Sequence, residues 1–195
     1  TLFRSLPGLK DFKGDVLHTT EFTNGANWRG RKALVIGTGT SGHDVAQDLH
    51  ANGCETTIVQ RGSTMVVSID PSAKLVYGIY NGVPIEDGDL LASTNTKPIV
   101  KKNLQLLTAR MLEFDRRTNE ALIARGFKFD AGEDGAGHQW KVRTRYGGYY
   151  LDAGCSQLII DGEIGLLQYD QIERFVQGGA ALRNGSVMPA DLIVL

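Results

Sequence analysis

The residues best suited to chemistry begin with three glycines, set out as Gly37-Thr38-Gly39-Thr40-Ser41-Gly42. In a G-x-G-x-x-G turn the first glycine permits a tight exit from a strand. The second lets the backbone come close to a pyrophosphate, and the third lets the next helix pack against the sheet. Free N–H groups at the start of that helix then face the phosphates. Glycine-rich turns also serve purely structural ends, so the surrounding elements have to decide. Lys32–Ile36 is a short apolar run of the kind a buried parallel strand shows. Val45, Ala46 and Leu49 recur at helical spacing until Asn52-Gly53, a helix stop. Glu55–Arg61 reads as a second strand, closed by Gly62. Strand, glycine loop, helix and strand in this order form the βαβ unit that binds dinucleotides.

The end of the second strand separates the two nicotinamide cofactors. NAD-binding versions place Asp or Glu there, about 20 residues on, to accept from the ribose hydroxyls. Here the stretch is Gln60-Arg61-Gly62-Ser63-Thr64. An arginine at a strand end can be a plain solvated charge. With the acid missing, its guanidinium suits a 2′-phosphate in charge and geometry, which points to NADPH. The expected cofactor-binding residues are therefore Gly37, Thr38, Gly39, Thr40, Ser41, Gly42, Arg61, Ser63 and Thr64. A third pattern lies upstream: Phe12-x-Gly14-x-x-x-His18, then Phe22. By itself His18 reads as a structural histidine. His43 reads as a polar group near the loop, and His50 and His138 as surface residues. No catalytic residue is assigned. No Ser-His-Asp, HExxH or CxxC pattern occurs, so hydrolase, zinc-protease and dithiol-reductase chemistries lack support. No metal site is expected.

These motifs imply an α/β fold, a Rossmann-like dinucleotide-binding domain with a mostly parallel central sheet. Residues 1–30 are turn-rich. Residues 64–96 read as an irregular excursion with short helical pieces, and Pro98–Arg125 as one long amphipathic helix or two in sequence. Residues 65–126 together read as a helical insertion. The glycine-rich stretch 130–148 reads as a loop. Leu158–Ile160, Ile164–Leu167 and Gln171–Val176 read as short strands, and Ala181–Val187 as a hairpin around Asn184-Gly185. The chain opens on Thr1 and closes on Ala190–Leu195, which reads as a buried strand, and both ends read as cut points in a longer polypeptide.

Composition limits the partners. The 195 residues suit one domain, taken as 1–195, and 42% hydrophobic with 22% charged residues is ordinary for a globular protein. A formal charge of -1 offers no attraction for nucleic acid or an anionic membrane. No apolar run approaches the roughly 20 residues that cross a bilayer. Cys54 and Cys155 have no metal or redox spacing, so a reduced, cytoplasmic protein is expected.

From Leu6-Pro7-Gly8 to Arg61 the sequence resembles the flavin-containing monooxygenases, themselves similar to the Baeyer–Villiger monooxygenases. Phe12, Gly14, His18 and Phe22 match that family's fingerprint. Gly37, Gly39, Ser41 and Gly42 match its second glycine motif, and Arg61 its basic residue after the second strand. Gly147–Asp152 and Ala190–Leu195 resemble segments of long bacterial and fungal members. The resemblance implies that NADPH reduces FAD, which activates oxygen and passes one atom to a small organic substrate. It also implies a FAD-binding domain in the same polypeptide, because the family's first glycine motif would lie before Thr1. His18 would sit at the seam between the two domains in a positioning role. Without its FAD domain the chain is expected to be inactive. Phe22 departs from the Tyr or Trp of many members, which blurs the subfamily. Met65–Asp161 is longer than in minimal members and receives no chemical role. Two other readings stay open: a non-catalytic NADP-binding module, and an NADPH-dependent flavoprotein reductase or dehydrogenase of the same architecture.

Overall fold

Alternation of small and β-branched residues builds the centre of the molecule, whose computed structural model describes residues 6–195. Strands β1 (Asp15–Leu17), β2 (Lys32–Ile36) and β3 (Glu55–Gln60) run parallel with β6 (Gly165–Gln168) and β10 (Leu192–Val194). Their order across the sheet is β1-β10-β2-β3-β6. Helix α1 (Thr40–Ala51) links β2 to β3. Side chains alternate between faces along a strand. Ala33, Val35 and Ile58 therefore meet Val45, Ala46 and Leu49 of α1, while Leu34, Ile36 and Val59 face the other way. There they pack on Ile172 and Phe175 of a small antiparallel sheet, β7 (Ile172–Val176), β8 (Gly179–Leu182) and β9 (Val187–Pro189). With both faces covered, β2 reads as an unbroken apolar run, and the expected mostly parallel α/β sheet is present.

Between β3 and β6 the chain builds a second layer. Strand β4 (Met65–Ser68) pairs in parallel with β5 (Tyr149–Asp152). Val66 and Tyr150 join the main core, while Met65 and Val67 pack on Met111 of a helical group. That group comprises α2 (Ile85–Ser93), α3 (Lys97–Phe114) and α4 (Arg116–Ala124). The amphipathic stretch from Pro98 is thus two helices, with Pro98 in the first turn and Gly126, at φ +90°, just past the end. Asp115 marks the break, and its carboxylate accepts the N–H of Ser68, tying the break to β4.

Three sequence expectations need correction. The span 64–96 does hold short helical pieces, but it opens with strand β4. The stretch 130–148 is no simple loop, since it carries helix α5 (Gly137–Arg145). Gly137 is there because α5 crosses α3 closely: a Cβ would overlap the Thr108 hydroxyl. A glycine that permits close helix packing looks, in sequence, like a loop glycine. Leu158–Ile160 is helical, inside α6 (Cys155–Asp161), which is started by the Asp152 carboxylate accepting from Gly154 N–H and stopped by Gly162 at φ +81°. Short apolar runs do not distinguish strand from buried helix. The strands at 165–168 and 172–176 and the Asn184-Gly185 hairpin form as expected. Among the described residues no helix is long and apolar enough to cross a membrane.

Candidate functional site

Four parallel strands end at one place. Immediately past their C-terminal ends stand His18 and Thr19 after β1, Gly37 after β2, Arg61 after β3 and Leu195 after β10. All of them line one cleft of about 320 Å³. The chain passes from β2 through α1 to β3 on one side, whereas β10 and β1 lie on the other. In open α/β sheets ligands settle at such a reversal, outside the carboxyl ends of the strands.

The glycine loop forms the floor. Gly37 leaves β2 at φ +125°, its N–H donating to the Val59 carbonyl at 2.9 Å. A Cβ on Gly42 would overlap the Gly37 carbonyl oxygen, so only glycine lets α1 start so near its own loop. A Cβ on Gly39 would find only the Tyr149 carbonyl oxygen, 4.0 Å away, and would project into the cleft. The tight turn at Gly37 and the close helix start at Gly42 are those their spacing predicts, and Gly39 has open space beside it. No side chain caps α1, and the Thr40 hydroxyl is buried without a protein partner at the cleft. An uncapped helix start with an orphaned hydroxyl suits an anionic oxygen ligand.

His43 stiffens this floor from below. It is fully buried, its ring stacked on Tyr150 at 3.8 Å and 3°, and its Nδ1–H donates to the Gly39 carbonyl at 3.1 Å. Burial outweighs that bond and lowers its pKa to about 4, so the ring is neutral near pH 7. The Tyr150 hydroxyl accepts the N–H groups of Ala153 and Cys155, which joins the loop to α6. Cys155 is buried and unpaired, with its thiol pushed up to about 12, which removes it as a nucleophile.

Arg61 is exposed and borders both this cleft and an adjoining one of about 260 Å³, lined also by Gly62, Ser63 and Thr64. Ser63 Oγ–H donates to Asp130 at 3.0 Å. Thr64 is buried, its hydroxyl 2.6 Å from that of Thr38, so this pair bolts the glycine loop to the turn after β3. Burial disfavours the charged form of Asp130, but bonds from Lys141, Gly132 and Ser63 hold its carboxyl below the usual range.

The upstream fingerprint is also structural in its effect. A Cβ on Gly14 would overlap the Asp191 carbonyl and the Phe12 ring, and Phe12 itself is core. Phe22 packs against the core beside α1. His18 is exposed; Thr20 N–H donates to its Nδ1 at 3.2 Å, with the Thr20 hydroxyl 2.9 Å from the same nitrogen. Thr19 N–H donates to the Leu195 carbonyl, fixing this segment at the cleft. His50 is half-buried beside Glu163 at 3.0 Å. His138 is not a surface residue as expected: it is buried at 2% exposure, and burial lowers its pKa to about 4. Among the described residues no cluster of His, Cys, Asp or Glu could hold a metal ion. Sequence reasoning missed the far wall, Tyr146, Gly147 and Tyr149. Gly147-Gly148 hinted at it without indicating a place in space.

The sequence matches the model of the family described as Flavin-binding monooxygenase-like over residues 2–122. This chain belongs to that family. A relative in Arabidopsis thaliana, the probable indole-3-pyruvate monooxygenase YUCCA4, is 37% identical over 205 aligned positions, covering all of this chain and 42% of that protein. In fold, the chain is similar to an oxidized steroid monooxygenase bound to NADP, at TM-score 0.61 and 16% identity over 98% of this chain and 43% of that one. It is also similar to cyclohexanone monooxygenase from Rhodococcus sp. Phi1 bound to NADP+, at TM-score 0.55 and 17% identity over 97% and 42% of the two chains. The chain thus spans about two fifths of the length of each of these three proteins, and it shares the fold of the two solved structures.

Proposed function

We propose that residues 1–195 are the NADP(H)-binding domain of a flavin-dependent monooxygenase, whose FAD is held by another domain of the same polypeptide and whose substrate is a small organic molecule. The observation that carries this reading is the convergence of Gly37–Gly42 and Arg61 on one cleft at the C-terminal ends of the parallel strands. The residues fit the cofactor. Gly39 leaves room for a pyrophosphate, the N–H groups and hydroxyl at the start of α1 offer donors, and Arg61 on the same cleft offers a guanidinium for a 2′-phosphate. When bound, the nicotinamide and flavin supply hydride transfer and oxygen activation. The chain's own part is to bind, orient and discriminate. Ser63 and Thr64, with hydroxyls already engaged by Asp130 and Thr38, hold the turn that presents Arg61. Thr19, whose N–H donates to the Leu195 carbonyl at the end of β10, fixes the edge of the cleft that His18 also lines.

Arg61 provides the test. Hydrogen bonds to charged groups contribute about 1.5–3 kcal/mol, and about 1.4 kcal/mol is a factor of ten. Arg61→Ala should therefore weaken NADPH binding roughly ten- to a hundredfold in calorimetric titration and leave NADH little changed. An unaltered NADPH-to-NADH affinity ratio would reduce Arg61 to a surface charge and defeat the reading.

A further inference from the structure

One residue at the cleft is held in a way its sequence does not require. Tyr146 closes α5 in the left-handed region, at φ 53° and ψ 30°, although glycines follow at 147 and 148. Residues with a Cβ adopt this conformation sparingly, and such outliers gather where a side chain must be presented. Tyr146 is 89% exposed, yet it lines the cleft that Arg61 also lines. Two ties hold both residues at that cleft. The Gly148 carbonyl accepts Met65 N–H at 3.0 Å at the start of the β4–β5 pairing. Lys141 of α5, its side chain 4% exposed, pairs at 2.6 Å with the same Asp130 that engages Ser63. The turn carrying Arg61 and the helix end carrying Tyr146 are thereby one assembly.

An aromatic ring and a guanidinium on one cleft suit a ligand that joins a flat base to a phosphate. Resting on the NADP(H) reading above, we infer that Tyr146 is the stacking platform for the adenine ring, and thus a binding residue contributed by the segment between β3 and β6. The exposed ring is then an open binding surface at a helix end whose backbone is tied to the cleft. Stacking of a base on an aromatic side chain tolerates loss of the hydroxyl but needs the ring.

The probe is adenosine 2′,5′-bisphosphate, titrated calorimetrically into the 195-residue chain and its Tyr146→Phe, Tyr146→Gly and Arg61→Ala variants. Tyr146→Phe should bind within about twofold of the native chain. Tyr146→Gly should bind roughly tenfold more weakly. Glycine accepts positive φ without strain, so the melting temperature of Tyr146→Gly should not fall, which separates lost stacking from lost folding. Native affinity in Tyr146→Gly, with binding weakened in Arg61→Ala, overturns the inference and leaves the NADP(H) reading standing. Equal losses in Tyr146→Phe and Tyr146→Gly overturn it too, since the hydroxyl rather than the ring would matter. A native chain that does not bind the probe overturns both.

Discussion

His43 should make the fold sensitive to mild acid, and the size of the effect follows from its burial. Its folded pKa is about 4 against an ordinary value of 6.5, because burial disfavours the imidazolium more than the Gly39 carbonyl and Asp152 favour it. A histidine depressed in this way contributes stability that is complete above the unfolded pKa. That stability is lost as pH falls from about 6.5 toward 4, where the unfolded chain takes up a proton that the folded one refuses. Between pH 7.5 and 4.5 linkage gives a loss of about 2–3 kcal/mol from this single group. That is a sizeable share of the roughly 5–15 kcal/mol that holds a domain together. The assay is urea unfolding at pH 7.5, 5.5 and 4.5 for the native chain and His43→Asn. Asparagine does not titrate, yet can still donate toward the Gly39 carbonyl. The smaller side chain gives up the stack on Tyr150, which lowers stability by a constant amount at every pH. The slope carries the signal: the fall in stability from pH 7.5 to 4.5 should be smaller in His43→Asn by about 2–3 kcal/mol. Buried His138 adds a parallel loss to both proteins and cancels in the difference. Equal slopes would mean that His43 is hydrated or charged in the folded chain, and the account of the stiffened loop would fail.

Two further predictions concern the same loop. Gly42→Ala, whose methyl would overlap the Gly37 carbonyl, should lower stability by about 1–3 kcal/mol and impair NADPH binding. Gly39→Ala, with nothing nearer than 4.0 Å, should melt close to the native chain yet bind NADPH at least tenfold more weakly. If calorimetry and thermal melting do not separate the two variants in this way, the glycine roles are misassigned. Thr38→Val or Thr64→Val should each cost about 1–3 kcal/mol by orphaning the partner hydroxyl, 2.6 Å away and buried. The double variant should recover part of that loss, and additive losses in the cycle would show that the two hydroxyls do not bond.

What could be read in the sequence, and what could not, divides along a physical line. The proposed pyrophosphate cradle at Gly37–Gly42 is made of consecutive backbone groups, so strand, turn and helix start must be neighbours in the chain, and all three form where expected. Arg61 is legible for the same reason, since β3 follows α1 directly and its end is fixed by parallel pairing with β2. The opposite wall obeys no such constraint. Tyr146 and Tyr149 arrive after an excursion of more than eighty residues, and the β4–β5 register together with the Lys141–Asp130 pair brings them to the cleft that Arg61 lines. Nothing local in Gly147-Gly148 encodes that pairing. His138 was misread because a polar side chain in a glycine-rich stretch looks solvated until α5 is seen to pack on α3. The same close packing gives Gly137 its purpose and α5 its direction, and hence delivers Tyr146 to the cleft. In this chain the floor of the proposed site is a local property of sequence. In this chain its far wall is a tertiary property of the long segment between β3 and β6. Differences between members in how they hold the adenosine end should therefore be sought in that segment rather than in the glycine loop.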